Sequence, residues 1–158
     1  MPALRECLAA AGLRDIRTYV QSGNIVMSSD DEPEELARRC GTLIEAEFGL
    51  DIAVIVRTRD ELARVVSLNP LKDVADNPKR YQVTFLSSGL KQEQLERLAA
   101  LAAPAERVAA VGRELYSWHP EGVGRSKLWG RMAGTGLGVT ATARNWTTVT
   151  TLLEMADD

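Results

Sequence analysis

A basic, glycine-containing loop is the part of the sequence best suited to hold a ligand. Gly122 and Gly124 precede Arg125, Ser126 and Lys127, where a helix is predicted to begin. Small residues let backbone N–H groups approach an anion, and a helix start adds the positive end of a dipole. The spacing differs from that of a nucleotide-binding P-loop. We predict a site for a small anionic or phosphate-bearing ligand here; the alternative is a tight loop, capped by Ser126, with solvated basic side chains.

Two polar residues later in the chain extend this candidate site. Arg144 and Asn145 stand at another predicted helix start and are the remaining candidate contacts of the anion. The charge distribution agrees with this location, because residues 79–158 hold 10 basic and 8 acidic residues, against 9 and 14 in residues 1–78. We therefore expect any anion site to lie in the second half of the chain.

The residue types that usually carry catalysis or bind metals are few. His119 is the only histidine and is followed by Pro120, so we predict that it lies in a surface turn. Cys7 and Cys40 occupy apolar helix positions without a Cys-x-x-Cys pair, which is typical of free buried thiols. We predict no catalytic residue, no metal ligand and no cofactor, and the sequence favours a protein that is not an enzyme.

The sequence argues against nucleic acid as a partner. Trp118, Trp129 and Trp146 lie near basic residues, an arrangement that can stack bases. The chain nevertheless has a net charge of -3 and lacks the basic and aromatic signature of an RNA-recognition motif. We interpret the three tryptophans as core residues, since each carries a large apolar area.

The composition is that of an ordinary globular protein, with 158 residues of which 45% are hydrophobic and 26% charged. The uncharged run of residues 132–143 is shorter than the ~20 residues that span a bilayer, so we expect no membrane partner. The first residues do not have the pattern of a signal peptide. Free thiols are typical of a reducing compartment, and we expect a cytoplasmic location.

Hydrophobic spacing and capping residues predict the elements of the first half. In chain order they are a helix through Leu4, Cys7, Leu8 and Ala11, strands at residues 16–20 and 24–28, a helix over residues 31–48 closed by Gly49, a strand at residues 52–56, and a helix from Thr58 that stops before Asn69. The two strands form a hairpin that contains Gln21 and Asn24 near its turn. These two residues are either polar ligands or turn residues.

The second half shows the same order with an additional first strand. Its predicted elements are a strand at residues 81–86, a helix at 92–102, a hairpin of strands 107–111 and 114–118 turning at Gly112, a helix at 126–132, a strand at 138–142 and a helix at 145–155. The last helix is predicted against the propensity of the β-branched residues 147–151, because Trp146, Val149 and Leu153 share one helical face.

These orders predict an α+β fold of two ferredoxin-like halves, residues 1–75 and 76–158, each a split β-α-β unit with an extra helix. The first half lacks the opening strand. That strand lies in the interior of such a sheet, so its absence leaves backbone groups unpaired. We expect that the native chain begins before Met1, unless another chain or segment fills the position.

Four stretches of the sequence resemble those of a bacterial family. They are Tyr-Val-Gln-Ser-Gly-Asn-Ile-Val at residues 19–26, the pair Asn69-Pro70, residues 122–128, and Thr-Ala-Arg-Asn-Trp-Thr-Thr-Val at residues 142–149. Through them the chain resembles the domain-of-unknown-function family numbered 1697. The resemblance implies an α+β fold with ferredoxin-like halves and no established activity. Members normally begin with an apolar strand and an Arg-Gly-Ile-Asn loop, and neither is present here.

Three hypotheses for the function follow. The first is a non-enzymatic module that binds a small anionic ligand through Arg125, Ser126, Lys127, Arg144 and Asn145. The second is a protein interaction or oligomerisation module, a homodimer included, that accepts a partner strand at the vacant position of the first half. The third is an enzyme whose site includes the absent N-terminal loop.

Overall fold

The fold is α+β, and a computed structural model describes it for residues 2–19, 23–132 and 137–157. The helices are α1 (Pro2–Ala10), α2 (Pro33–Phe48), α3 (Arg59–Leu68), α4 (Gln92–Leu101), α5 (Lys127–Met132) and α6 (Trp146–Asp157). The strands are β1 (Arg14–Tyr19), β2 (Asn24–Ser28), β3 (Tyr81–Leu86), β4 (Arg107–Val111), β5 (Glu114–Trp118) and β6 (Ala141–Asn145). The strands form two antiparallel sheets.

The chain divides into two compact units. The first comprises Met1–Leu62 and Thr151–Asp158, and the second comprises Ala63–Thr150. The end of α6 joins the first unit through Arg17, whose Nη2 donates a hydrogen bond to the Met155 carbonyl over 2.5 Å. This grouping differs from the predicted halves in residues 63–75 and in the end of the chain.

The core of the first unit lies between two helices and a hairpin. Its buried residues are Leu4 and Leu8 of α1, Leu13, and Leu36, Cys40 and Ile44 of α2. Strands β1 and β2 pair antiparallel, and Ile25 and Met27 of β2 pack against this core. The predicted helix before Gly49 is confirmed: Pro33 is its first residue, and the Gly49 N–H donates to the Glu45 carbonyl over 2.9 Å.

The predicted strand at residues 52–56 is not observed. The chain runs from residue 49 to residue 58 without a turn or bend, and Val54 and Val56 pack against the first core. No strand of the described chain pairs with this segment. A strand exists only with its ladder of backbone hydrogen bonds, so the segment has the sequence of a strand but no such ladder within the described residues.

The second unit is built on a four-stranded sheet of order β4-β5-β3-β6, in which every neighbouring pair is antiparallel. This is the order expected of a split β-α-β unit. Strand β3 occupies the interior, and all six of its residues are buried. A central strand covered on both faces explains its largely apolar sequence, Tyr-Gln-Val-Thr-Phe-Leu.

Alternate residues of this sheet face different helices. On one side, the α5 face, Leu86 and Leu115 pack with Leu98, Leu128 and Met132 of α4 and α5. On the other side, the α3 face, the Tyr116 hydroxyl donates to the Val65 carbonyl of α3 over 2.9 Å. The Tyr81 ring stacks on Trp146 there, with ring centroids 4.8 Å apart.

The last strand lies three residues later than predicted. Strand β6 spans Ala141–Asn145 rather than residues 138–142, and it pairs with β3 from Gln82↔Asn145 to Leu86↔Ala141. Gly138 has a φ of 72°, a left-handed conformation that does not fit a strand. The helix that follows is confirmed, with Val149 fully buried although β-branched residues dominate its first turns.

Replacing Gly49 by Ala tests the end of α2. Gly49 has a φ of 69°, and nothing lies within 4 Å of the position that a Cβ takes there, so the cost is conformational alone. We expect Gly49→Ala to lower the free energy of unfolding by about 1 kcal/mol in urea denaturation. Gly130→Ala is the control, because its surroundings are equally open and its φ is not positive. Equal losses in both variants contradict the argument.

Candidate functional site

The basic loop, residues 122–127, is held in a defined conformation by its own backbone. The Gly122 N–H donates to the His119 carbonyl over 2.8 Å, and the Ser126 N–H donates to the Val123 carbonyl over 3.1 Å. Gly122 adopts a φ of 83°, which only glycine takes without strain. The loop therefore presents its side chains from a fixed frame.

The two cations of the basic loop, Arg125 and Lys127, are exposed on either side of the partly buried Ser126. Nothing lies within 4 Å of the positions that a Cβ takes at Gly122 and Gly124. The backbone of the loop is therefore open to a small molecule that approaches from solvent.

Ser126 is bound within the protein through its side chain. Its hydroxyl donates to Glu106 Oε2 over 2.6 Å and accepts a hydrogen bond from the Trp129 N–H over 3.0 Å. Ser126 therefore caps the first turn of α5 in the way that a serine before a helix does. The prediction that Ser126 contacts a ligand is untested, and its hydroxyl already has two partners.

A buried acid and base lie beneath the loop. His119 is fully buried and Glu106 is 8% exposed. The His119 Nδ1 lies 2.6 Å from Glu106 Oε2, and its ring lies edge-on to Trp129 with centroids 5.6 Å apart. The surface position predicted for His119 is therefore wrong, because the histidine continues strand β5 and passes under α5.

Three hydrogen-bond donors stabilise the negative charge of the Glu106 carboxylate. The Ala103 N–H donates to Oε1 over 2.9 Å, and Ser126 and His119 bind Oε2. Burial by itself raises the pKa of the Glu106 carboxyl, but these hydrogen bonds outweigh burial and lower the pKa from its ordinary value. An ionised carboxylate only accepts hydrogen bonds, so His119 carries its proton on Nδ1.

The hydrogen bonds of this cluster resemble those of a serine–histidine–acid relay, but its serine is not accessible to a substrate. The His119 Nε2 lies 2.8 Å from Ser117 Oγ, which gives the order hydroxyl, imidazole, carboxylate. Ser117 and His119 are both fully buried, so no substrate atom reaches that hydroxyl. Ser126 is more accessible, but it donates to the carboxylate and lies 3.4 Å from the His119 Nδ1. We assign the cluster to structure rather than to catalysis.

The register of the β4–β5 hairpin predicts that Glu106 and His119 are neighbours, although neither residue was a candidate from the sequence. Strands β4 and β5 pair from Val111↔Glu114 to Arg107↔Trp118. One further step places Glu106 opposite His119, and residues opposite each other in an antiparallel pair point to the same face. The predicted turn at Gly112 implies this register, so the acid and base were recognisable as neighbours.

Arg144 and Asn145 do not complete a site with the basic loop. Arg144 pairs with Val83 and binds Thr142 Oγ1 over 2.7 Å on the α3 face, where burial lowers the pKa of its guanidinium. Ser126 lies on the α5 face. Asn145 Oδ1 accepts the Thr148 N–H over 2.9 Å and so caps α6. Arg144 therefore lies on the other face of the sheet from Ser126, and the Asn145 side chain is used at the start of α6.

Gln21 and Asn24 are the two candidate ligand or turn residues of the first hairpin. Gln21 lies outside the described residues. Asn24 is the first residue of β2, and its Nδ2 donates to the Tyr19 carbonyl over 3.3 Å. This contact ties the two strands together near the turn, which agrees with a turn role.

The aromatic residues of the second sheet are packed inside it. Tyr116 is fully buried and Trp118 is 7% exposed. Trp129 and Trp146 are partly buried against His119 and Tyr81. The rings of Tyr116 and Trp118 are thus unavailable for stacking on bases.

A groove runs along α1 and α2 in the first unit. It has a volume of about 460 Å³ and is lined by Glu6, Cys7, Leu43 and Glu47 among others. Its two carboxylates do not suit an anion, and the predicted site residues lie elsewhere.

Over the described ranges, no cluster of three or more metal-ligating side chains occurs. No helix in that part of the chain is both long and apolar enough to cross a membrane.

Comparison with known proteins identifies the family. The family model described as "Protein of unknown function (DUF1697)" matches residues 1–116. The chain belongs to the DUF1697 family. This DUF1697 protein is also similar to the solved structure of the conserved bacterial protein SP0830 from Streptococcus pneumoniae. The two are 18% identical with a TM-score of 0.75, over 99% of this chain and 88% of the other. At this identity the likeness shows a shared fold, and no curated protein matches the DUF1697 chain.

Replacing Glu106 by Gln tests the buried cluster of this DUF1697 protein. A carboxyl whose pKa is lowered in the folded state stabilises the protein above the pKa of the unfolded chain. That contribution is lost as the pH falls through the folded-state pKa. We expect Glu106→Gln to cost about 2 kcal/mol of unfolding free energy at about pH 7, and the difference from the native protein to shrink below about pH 4.5.

The matched control for this prediction is Glu121→Gln, because Glu121 is exposed. Urea denaturation of both variants and the native protein, repeated over the acidic range, gives the comparison. A Glu106→Gln variant that is as stable as the Glu121→Gln variant at neutral pH contradicts the assigned role of the cluster.

Proposed function

We propose that this DUF1697 protein is a non-enzymatic module that binds a small anionic or phosphate-bearing ligand at the basic loop. One observation carries the proposal: Arg125 and Lys127 project into solvent from a loop whose backbone is fixed and whose central residue, Ser126, is anchored to Glu106. Cations held on a fixed frame lose less freedom when they bind an anion than cations on a flexible chain.

The ligand contacts in this proposal are Arg125, Lys127 and the open backbone at Gly122 and Gly124. Arg125 offers a planar fork of donors that suits a phosphate, and Lys127 adds a mobile point charge. The nearby Glu106 carboxylate opposes an anion only weakly, because it is buried and its oxygens accept three hydrogen bonds. Ser126 supports the site instead of binding the ligand.

A reducing, cytoplasmic location is part of the same proposal. Cys7 and Cys40 are free, and they come from neighbouring helices of the first unit. Burial raises the pKa of the Cys40 thiol, so its reactive thiolate form is disfavoured at neutral pH. Two unpaired cysteines in one small protein are typical of a compartment that keeps thiols reduced.

Protein association is a second candidate function, and a separate observation favours it. Leu50 and Ile52 are 53% and 49% exposed, among the most exposed large apolar residues of the described chain. Leu50 precedes and Ile52 begins the segment of residues 52–56, with which no strand among the described residues pairs. Exposed apolar side chains on an extended segment are features of a strand that accepts another strand.

Single replacements of the loop cations test the anion proposal. We expect Arg125→Ala and Lys127→Ala each to weaken the binding of pyrophosphate about tenfold, because each removes one charge-assisted contact. Binding of inorganic phosphate and of pyrophosphate is measured by two-dimensional NMR titration at constant ionic strength. Chemical shifts of Gly122 and Gly124 should move most.

Two further variants serve as controls. Lys72→Ala removes an exposed cation elsewhere in the second unit, and Arg144→Ala removes the cation on the α3 face. Neither should change the affinity. If Arg144→Ala weakens binding as much as Arg125→Ala, the loop alone is not the site; if the native protein shows no shifts with about 10 mM pyrophosphate, the proposal fails.

A further inference from the structure

A further exposed cation, Arg80, is attached beside the basic loop from a different part of the chain. Arg80 stands directly before β3, and its Nη1 donates a hydrogen bond to the Pro120 carbonyl, two residues before the loop. Its own carbonyl accepts the His119 N–H over 3.1 Å, and its N–H donates to the Asn77 carbonyl over 3.0 Å. Backbone and side chain together therefore fix this arginine at the start of the loop.

Two consecutive turns lead from β5 to α5 and contain the basic loop. The first turn, residues 119–122, is closed by a hydrogen bond between its end residues over 2.8 Å, and the second, residues 123–126, by one over 3.1 Å. Pro120 and Gly122 hold the positions that proline and glycine favour in a type I turn. The ends of such a turn lie within about 7 Å of each other, so the loop consists of two compact turns joined end to end.

Each of the two turns has a cation of its own. Arg80 is bound to the first turn through Pro120, the second residue of that turn. Arg125 is the third residue of the second turn, and Lys127 directly follows that turn. All three basic side chains belong to exposed residues. The positive charges are thus distributed along the loop instead of being gathered at one end.

The Arg80 guanidinium keeps most of its donors for a ligand. A guanidinium has five N–H donors, and within the described part of the chain the Arg80 side chain makes one hydrogen bond, to the Pro120 carbonyl. No carboxylate among the described residues forms an ion pair with it. The bond to Pro120 therefore holds the guanidinium at the loop, and its planar fork of donors remains open to phosphate oxygens.

Arg80 also decides the sign of the charge at the first turn. Glu121 is the acidic residue of the sequence 119–127, and it is exposed at the third position of this turn. Without Arg80, the Glu121 carboxylate makes the first turn negative, and like charges repel an anion there. With Arg80, three cations along the loop oppose one carboxylate, so both turns can accept negative charge.

We propose that Arg80 is a further ligand contact of the basic loop and that the site binds a diphosphate group, with one phosphate at each turn. This inference rests on the proposed function, because it adds a cation to the same anion site. A single phosphate is matched by the cations of one turn, whereas two linked phosphates offer charge and acceptor oxygens to both. Arg80 is therefore the residue that distinguishes a diphosphate from a single phosphate.

Replacing Arg80 by Ala tests this assignment. We expect the affinity for pyrophosphate to fall about tenfold, because one charge-assisted contact is lost, and the affinity for inorganic phosphate to fall less than about twofold. Both ions are titrated at constant ionic strength and followed by the amide resonances of Gly122 and Gly124. Lys79→Ala is the matched control, because Lys79 is the neighbouring exposed cation. It should change either affinity less than about twofold.

A second variant, Arg80→Gln, separates the charge of Arg80 from its support of the loop. Glutamine keeps a side-chain N–H donor for the Pro120 carbonyl but carries no charge. We expect Arg80→Gln to lose about as much pyrophosphate affinity as Arg80→Ala, while the Gly122 and Gly124 resonances of the ligand-free variant stay at their native positions. An Arg80→Gln variant with native affinity for pyrophosphate overturns the inference, since Arg80 then acts on the loop alone.

The same titrations separate this inference from the proposed function. If Arg125→Ala weakens pyrophosphate binding and Arg80→Ala does not, the loop binds an anion without Arg80, and the inference is overturned alone. Equal losses of phosphate and pyrophosphate affinity in Arg80→Ala overturn the preference for a diphosphate. A native protein that binds neither ion overturns the proposed function and the inference together.

The diphosphate group can belong to a free ion or to an ester. Adenosine diphosphate, titrated beside pyrophosphate, distinguishes these sources: tighter binding of the nucleotide indicates an ester, and tighter binding of pyrophosphate indicates the free ion. In either case we expect Arg80→Ala to weaken the tighter ligand about tenfold, because the diphosphate group is common to both. Undiminished binding of that ligand by Arg80→Ala contradicts the assigned contact.

Discussion

Strand β3 exchanges backbone hydrogen bonds with β5 on one side and with β6 on the other, and this pairing sets the place of the polar side chains in the second unit. Because successive residues of a strand point to opposite faces, Val83↔Arg144 places the guanidinium on the α3 face, and Gln82↔Asn145 places the amide on the opposite one. Arg144 and Asn145 are adjacent in sequence, but their side chains therefore lie on opposite faces of the sheet.

Pairing of the β4–β5 hairpin has an equally direct chemical consequence. It brings Glu106 and His119 together under α5, where a carboxylate is costly unless its oxygens accept hydrogen bonds. The Ala103 N–H and the Ser126 hydroxyl supply the remaining bonds. The buried acid therefore joins the end of α4, the hairpin and the basic loop, and the exposed cations take their positions from it.

Local sequence patterns predict most of the helices and strands. The wrong predictions concern contacts between residues that are distant in the sequence. Pro33 and Gly49 marked the ends of α2 because caps are local signals. Pro120 predicts a turn and therefore a surface position for His119, but Glu106, 13 residues away in sequence, binds the imidazole in the buried cluster. Arg144 is separated from the basic loop for a similar reason. Its position beside a predicted helix start does not determine which face of the sheet its side chain occupies.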